Sequence, residues 1–209
     1  MGFGIALIGY AFLLMGDLGG ALFAAPVLAY GFFLASRLES NFLRASVSSL
    51  FMLPRGIFMI VYSFIGVDEG STLFVTLNTV TFIVFQLAWL MMTFFWLSAV
   101  INIATECNSP MMLRRSRFTM SVTIPYILFS AAATLMGSAN LLGEYAGAVS
   151  VILFILMYVV IIINLVMLHN CFVLITSERQ YQKDKQQLAK ERADALRKAR
   201  EKHIGNDKK

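Results

Sequence analysis

Polar side chains with a regular helical spacing run along the apolar segment that follows residue 71. They are hydroxyl or amide residues at intervals of four, three, seven and seven positions: Thr72, Thr76, Thr79, Gln86 and Thr93. These intervals place all five within about one side of an α-helix. Such a stripe would line a narrow polar path through a membrane. The alternative is a packing seam, in which each hydroxyl bonds a carbonyl of the preceding turn and the amide bonds a neighbouring helix.

Arg55 is the second candidate, because it follows Pro54 inside the apolar stretch FMLPRGIF. A charged side chain at the bilayer centre costs at least about 2.5 to 3.5 kcal/mol on insertion scales. One interpretation is contact with an anion or substrate, where a proline kink frees backbone carbonyls. The second, which we favour, lays residues 41–53 on the inner membrane surface and puts Arg55 at the cytoplasmic interface. The apolar face of that surface helix would consist of Leu43, Val47, Leu50 and Phe51.

Four potential metal ligands lie near the ends of two apolar segments: Glu106, Cys107, His169 and Cys171. Carboxylate, thiolate and imidazole groups are the ligands that zinc prefers. However, the sequence has no C-x-x-C or H-x-x-x-H spacing, and a site would require two distant segments to touch. We therefore expect no metal and no other cofactor, and we expect the cysteines to be free thiols in a reducing compartment.

Acidic residues next to glycine occur in MGDLGG, GVDEGS and LLGEYAG, and they are Asp17, Asp68, Glu69 and Glu144. A cation site built from these carboxylates would require three separate loops to converge. Glycine ends helices and permits tight turns, and an acid is readily solvated there. We therefore expect the three motifs to be the outer turns of three helical hairpins.

The composition predicts a chain embedded in lipid. Of 209 residues, 58% are hydrophobic and only 14% are charged, which a soluble domain of this size could not accommodate in its core. A backbone in lipid must satisfy its own hydrogen bonds, so the apolar segments are expected to be helices. The fold predicted is an all-α polytopic transmembrane bundle of about six spans arranged as three hairpins. The six apolar segments are 2–15, 18–36, 46–67, 73–104, 118–142 and 146–175.

Charge separates two regions. Residues 1–176 contain six arginines, no lysine and six acids, whereas residues 177–209 contain eleven basic and six acidic residues. We therefore expect a transmembrane helical domain at 1–176 and a basic cytoplasmic helical tail at 177–209. The arginines of the first region fall on one side of the predicted topology and the acid-and-glycine turns on the other. The positive-inside rule then places both termini in the cytoplasm of a multi-pass protein of the cell membrane.

The tail is rich in helix-forming residues, and we expect it to be a solvated helix. Its next most favoured role is docking to a protein partner. Attraction to anionic lipid headgroups is a further role, worth roughly 1 kcal/mol for each basic residue close to the surface. Nucleic acid is the least favoured partner, because the tail has no aromatic side chain beyond Tyr181 on which bases would stack.

The opening residues GFGIALIGYAFLL, the multi-span body and the charged helical end resemble small bacterial multi-pass membrane proteins of unassigned function. The resemblance implies a bacterial cytoplasmic membrane and no particular activity. The sequence has no nucleophile elbow, zinc-protease motif, P-loop or dinucleotide fingerprint. We therefore expect a non-enzymatic interaction or accessory subunit with a docking tail. The alternative is a small transporter or channel with a polar path along the fourth span.

Overall fold

The structure is a computed structural model that describes residues 2–15, 19–65, 71–139, 141 and 143–174. All regular elements within these ranges are helical, which confirms the predicted all-α fold there. The tail at 177–209 and the acids Asp17, Asp68 and Glu69 lie outside the described residues. The helices are α1 (Gly2–Leu13), α2 (Gly20–Ala35), α3 (Asn41–Leu50), α4 (Leu53–Ile65), α5 (Thr72–Glu106), α6 (Pro110–Ser138) and α7 (146–174), the last preceded by the 3-10 turn Gly143–Tyr145.

Four segments of the described chain are long and apolar enough to cross a membrane: Asn41–Phe64, Thr72–Glu106, Pro110–Ser138 and Gly143–Leu174. They contain 24, 35, 29 and 32 residues. About 20 residues suffice to cross a hydrocarbon layer of about 30 Å. The expectation of a membrane protein is therefore supported by these helices. The first segment combines α3 and α4, which are separated by a turn at Phe51 and Met52 just before Pro54.

Helices α1 and α2 are shorter, with 12 and 16 residues. At 1.5 Å per residue they are about 18 and 24 Å long, less than the about 30 Å of the hydrocarbon layer. The predicted count of six spans thus remains a prediction for these two helices.

Small residues bring α1 and α2 into close backbone contact. A Cβ atom at Gly31 would lie 2.6 Å from the backbone nitrogen of Ala6, and one at Gly2 would contact the carbonyl oxygen of Gly31. A Cβ atom at Gly9 would lie 2.7 Å from Cγ of Leu28. Glycine permits this approach because it has no side chain, and van der Waals packing of this kind is what holds helices together in lipid.

The end of α1 and the start of α2 lie beside the middle of α5 and α7. The Tyr158 hydroxyl, near the middle of α7, donates a hydrogen bond to the carbonyl oxygen of Leu14 at 3.4 Å. Leu13 and Gly19, which flank the turn, line a small cavity together with Trp89, at the midpoint of α5. The α1–α2 hairpin therefore extends along only part of the length of α5 and α7.

Helix α3 packs inside the bundle, against α2 and α5. Its Ser46 hydroxyl donates to the carbonyl oxygen of Ala29 at 2.7 Å, and Ser49 is fully buried. Arg44 lies over the Phe95 ring of α5, with the guanidinium carbon 5.8 Å from the ring centroid. The position of residues 41–53 on the inner membrane surface stays a prediction, but the packing of their polar side chains against other helices was not expected. The polar face points into the protein, and the outward face is apolar, as lipid contact requires: Leu43, Val47, Leu50 and Phe51 are 44 to 61% exposed.

Candidate functional site

The predicted polar stripe on α5 divides into an exposed and a buried part. Thr72 and Thr76 are exposed and Thr79 is partly buried, whereas Gln86 and Thr93 are buried. The Thr76 hydroxyl donates to the carbonyl oxygen of Thr72 at 2.8 Å, and that of Thr79 donates to the residue four positions earlier at 2.9 Å. These local bonds are the ones that a packing seam predicts. None of the five residues lines the small cavity beside Trp89 or the groove between α6 and α7.

Thr93 belongs to a buried polar cluster that joins α1 to α5. Its hydroxyl lies 3.4 Å from the Tyr10 hydroxyl, and the Trp96 indole nitrogen donates to the same Tyr10 oxygen at 3.3 Å. The Tyr10 and Trp96 rings meet edge to face, with their centroids 6.3 Å apart. An aromatic residue buried in this way uses its large apolar ring for packing and satisfies its polar group at the same time. The cluster therefore anchors the short first helix to the longest one.

A second polar stripe, on α6, is more completely buried than the stripe on α5. Its members recur at intervals of three, four, three and four residues: Ser116, Thr119, Thr123, Tyr126 and Ser130. Sequence reasoning did not identify it, although this spacing is that of one helix face in contact with a neighbour. The spacing is visible in the segment SRFTMSVTIPYILFS. However, serine and threonine are common in membrane helices, so a single one does not indicate a buried stripe.

Hydroxyl groups of this α6 stripe accept hydrogen bonds from amide side chains of α5 and α7. Gln86 of α5 donates through Nε2 to the Ser130 hydroxyl at 3.1 Å. Asn164 of α7 donates through Nδ2 to the Thr123 hydroxyl at 2.9 Å. Among the described residues, the carbonyl oxygens of these two amides, Oε1 and Oδ1, are buried without a hydrogen-bond partner. A buried acceptor without a partner costs about 1 to 3 kcal/mol.

Arg55 is partly buried and is held by groups of α4 and α5. Its Nη1 atom donates to Oδ1 of Asn78 at 2.5 Å. The guanidinium carbon lies 5.8 Å from the centroid of Phe58 and 5.4 Å from that of Phe82, which are cation–π distances. Arg55 also lines the small cavity beside Trp89, whose volume is about 60 Å³. A space of this size accommodates a few water molecules but no larger organic substrate.

The metal and cation candidates do not form a site within the described residues. No three His, Cys, Asp or Glu side chains gather there as a metal site would require. Glu106, Cys107 and His169 are exposed. Cys171 is in α7, and both cysteines are free thiols. Of the four acids in the glycine motifs, only Glu144 is described, and it is exposed in the 3-10 turn before α7.

A larger open groove of about 970 Å³ lies between α6 and α7. Arg114 and Arg115 line it at the start of α6, and Asn170 lines it from α7. Apolar side chains of both helices, including Phe118 and Val166, form the rest of its wall. Sequence reasoning used these arginines only to orient the chain, because the groove exists only where the start of α6 lies beside the later part of α7.

No known protein family, curated protein or solved structure was found to match this chain. The fold and the sites above define a helical protein with segments suited to crossing a membrane.

Proposed function

We propose that this protein is a non-enzymatic interaction or accessory subunit of a membrane assembly, with residues 177–209 as its cytoplasmic docking element. The observation that carries the proposal is that the buried polar groups bond one helix to another. Gln86 and Asn164 bond the α6 stripe, and Thr93 lies beside the Tyr10 hydroxyl, so these groups hold helices together. Interhelical hydrogen bonds of this kind are typical of packing in lipid.

The outward surface of α7 supports the same proposal. Large apolar side chains in its first half are 45 to 60% exposed: Val151, Ile152, Phe154, Ile155 and Val159. In a membrane this surface contacts either lipid or the helix of a partner, and both are apolar. A small protein that presents a rigid apolar helix face and a charged tail has the two surfaces that an accessory subunit needs.

For topology, we propose a multi-pass protein of the cell membrane with both termini in the cytoplasm, because the arginines of residues 1–176 cluster on one side. The chain crosses six times if α1 and α2 both cross. It crosses four times if the α1–α2 hairpin enters and leaves on the cytoplasmic side. The lengths of α1 and α2, and the contact of Leu14 with the middle of α7, favour the second arrangement. Both arrangements keep both termini on the same side.

Affinity purification from native membranes tests the accessory role. The full chain is compared with a chain ending at Ser177 and with a full-length control in which the order of residues 178–209 is scrambled at constant composition. A stoichiometric partner that is retained by the full chain and lost from both variants is the expected result. Recovery of the protein alone from every sample would contradict the accessory role.

A small transporter or channel is the second candidate, and the unpartnered oxygens of Gln86 and Asn164 are the observation that favours it. A polar path would then run along the buried α6 stripe as well as the predicted stripe on α5. Fluxes of protons, potassium and chloride into proteoliposomes test this candidate. Loss of flux in Gln86→Leu, with normal flux in the control Thr105→Val, an exposed threonine of α5 outside both stripes, would support transport. Absence of flux in the wild type would reject transport of these ions.

A further inference from the structure

The groove between α6 and α7 is polar at one end and apolar along the rest of its length. Arg114 and Arg115 lie in the first turns of α6, and Phe118 follows them one turn later. Because α6 and α7 are consecutive antiparallel helices, Asn170 of α7 belongs to the arginine end and Ile162 to the apolar end. This order of groups along the groove matches the order of headgroup and acyl chain in a phospholipid.

The arginine end carries positive charge that the described protein does not neutralise. Arg114 and Arg115 are both exposed, and neither has a hydrogen bond or an ion pair with any described residue. None of the residues that line the groove is acidic. Guanidinium groups bind phosphate oxygens with two parallel hydrogen bonds, so two adjacent arginines suit a phosphate group well.

We propose that this groove binds an anionic phospholipid of the cytoplasmic leaflet, with its phosphate at Arg114 and Arg115 and an acyl chain along Phe118, Ile162 and Val166. Basic pockets between transmembrane helices on the cytoplasmic side are a recurrent way of binding such headgroups. The volume of about 970 Å³ is at the upper end of the roughly 300 to 1,000 Å³ found for ligand pockets.

Other occupants fit the groove less well. A free phosphate ion would use the arginine end alone and leave the apolar wall, where Phe118, Ile162 and Val166 are 53 to 59% exposed, without a ligand. The tail of this chain is itself basic, with eleven basic and six acidic residues, so it complements the two arginines poorly. An anionic lipid satisfies both the charge and the apolar wall, and it is already present at this surface of a membrane.

Lipid titration of the purified full chain tests the headgroup contact. Native mass spectrometry in a neutral detergent counts bound dioleoylphosphatidylglycerol, with dioleoylphosphatidylcholine as the zwitterionic comparison. The double variant Arg114→Gln, Arg115→Gln is expected to lower the affinity for the anionic lipid about tenfold or more. Arg117→Gln is the matched control, since Arg117 is exposed on the same part of α6 and does not line the groove. It is expected to change the affinity less than about twofold.

The apolar contact is tested with Phe118→Ala and with inorganic phosphate as a competitor. A bound lipid predicts a several-fold loss of affinity in Phe118→Ala and no competition by millimolar phosphate. Three results would overturn the proposal: equal binding of phosphatidylcholine, an equal loss in Arg117→Gln, or competition by phosphate without an effect of Phe118→Ala. Co-purification of a protein that the double variant releases, without any change in lipid binding, would assign the groove to a partner helix instead. All four side chains are exposed, so we expect the variants to fold, and circular dichroism checks this directly.

Discussion

Adding one methyl group at Gly31 should separate the first two helices. In Gly31→Ala the new Cβ would lie 2.6 Å from the Ala6 backbone nitrogen and 2.9 Å from both Ala6 Cα and the carbonyl oxygen of Gly2. All three neighbours are backbone atoms, so no side-chain rotation relieves the contact. Helix α1 must therefore move away from α2 along this part of the interface.

The expected loss combines two opposing effects. Alanine favours a helix over glycine by roughly 0.5 to 1 kcal/mol, which stabilises the variant. Overpacking in a well-packed interface costs roughly 1 to 3 kcal/mol, and contacts with rigid backbone belong to the upper part of that range. We therefore expect Gly31→Ala to lower the free energy of unfolding by about 1 to 2 kcal/mol.

Gly147→Ala is the matched control, because a Cβ atom there has no neighbour within 4 Å. It makes the same chemical change in α7, and we expect it to leave stability unchanged or raise it by up to about 1 kcal/mol. Thermal unfolding of the two variants in the same detergent, followed by fluorescence-detected size exclusion, measures the difference. Equal stability of Gly31→Ala and Gly147→Ala would refute the close approach of α1 and α2.

Three further predictions concern topology and the polar groups. In Met15→Cys, an impermeant maleimide added outside intact cells should not label residue 15 if the α1–α2 hairpin ends within the membrane. The exposed Cys107 should react only after the cells are permeabilised. Labelling of residue 15 from outside would instead establish that α1 crosses the membrane. Asn164→Leu should change the free energy of unfolding by less than about 1 kcal/mol, because interhelical hydrogen bonds in lipid average about 0.6 kcal/mol and the unpartnered oxygen is removed as well. Steric trapping measures this change, and a loss above about 3 kcal/mol would contradict the reasoning. A double-mutant cycle of Arg55→Ala and Asn78→Ala should show a coupling of about 1 to 2 kcal/mol for their charge-assisted hydrogen bond, and a coupling near zero would mean that this contact is absent.

Local features were predictable from the sequence because they depend on neighbours within one turn. The bonds from Thr76 and Thr79 to carbonyls four residues earlier follow from helical geometry alone. The partner of Gln86 was not predictable, since Ser130 is 44 positions away and any polar residue of another helix would have served equally well. The contacts of Arg55 with Asn78 and Phe82 are of the same long-range kind.

Helix α3 shows how the surrounding medium changes the meaning of a pattern. Its apolar face was expected to contact the membrane, and Val47 and Phe51 do lie on the outward face. The burial of Ser46 and Ser49 on the opposite face, against α2 and α5, was not predicted. Periodicity defines two faces of a helix, and only the neighbouring helices decide which face is covered.

The sequence by itself determined that the chain has segments suited to lipid and that these segments are helical, because transfer free energy and backbone hydrogen bonding are properties of each segment. Only the tertiary structure decided which small residues pack. A Cβ atom at Gly31 would have three backbone atoms within 2.9 Å, whereas one at Gly147, which is also helical, would have no neighbour within 4 Å. The same holds for the groove at Arg114 and Arg115, which needs two helices side by side. Contact depends on how helices distant in sequence are placed together, and lipid, unlike water, exerts no general force that would make each apolar face bury itself.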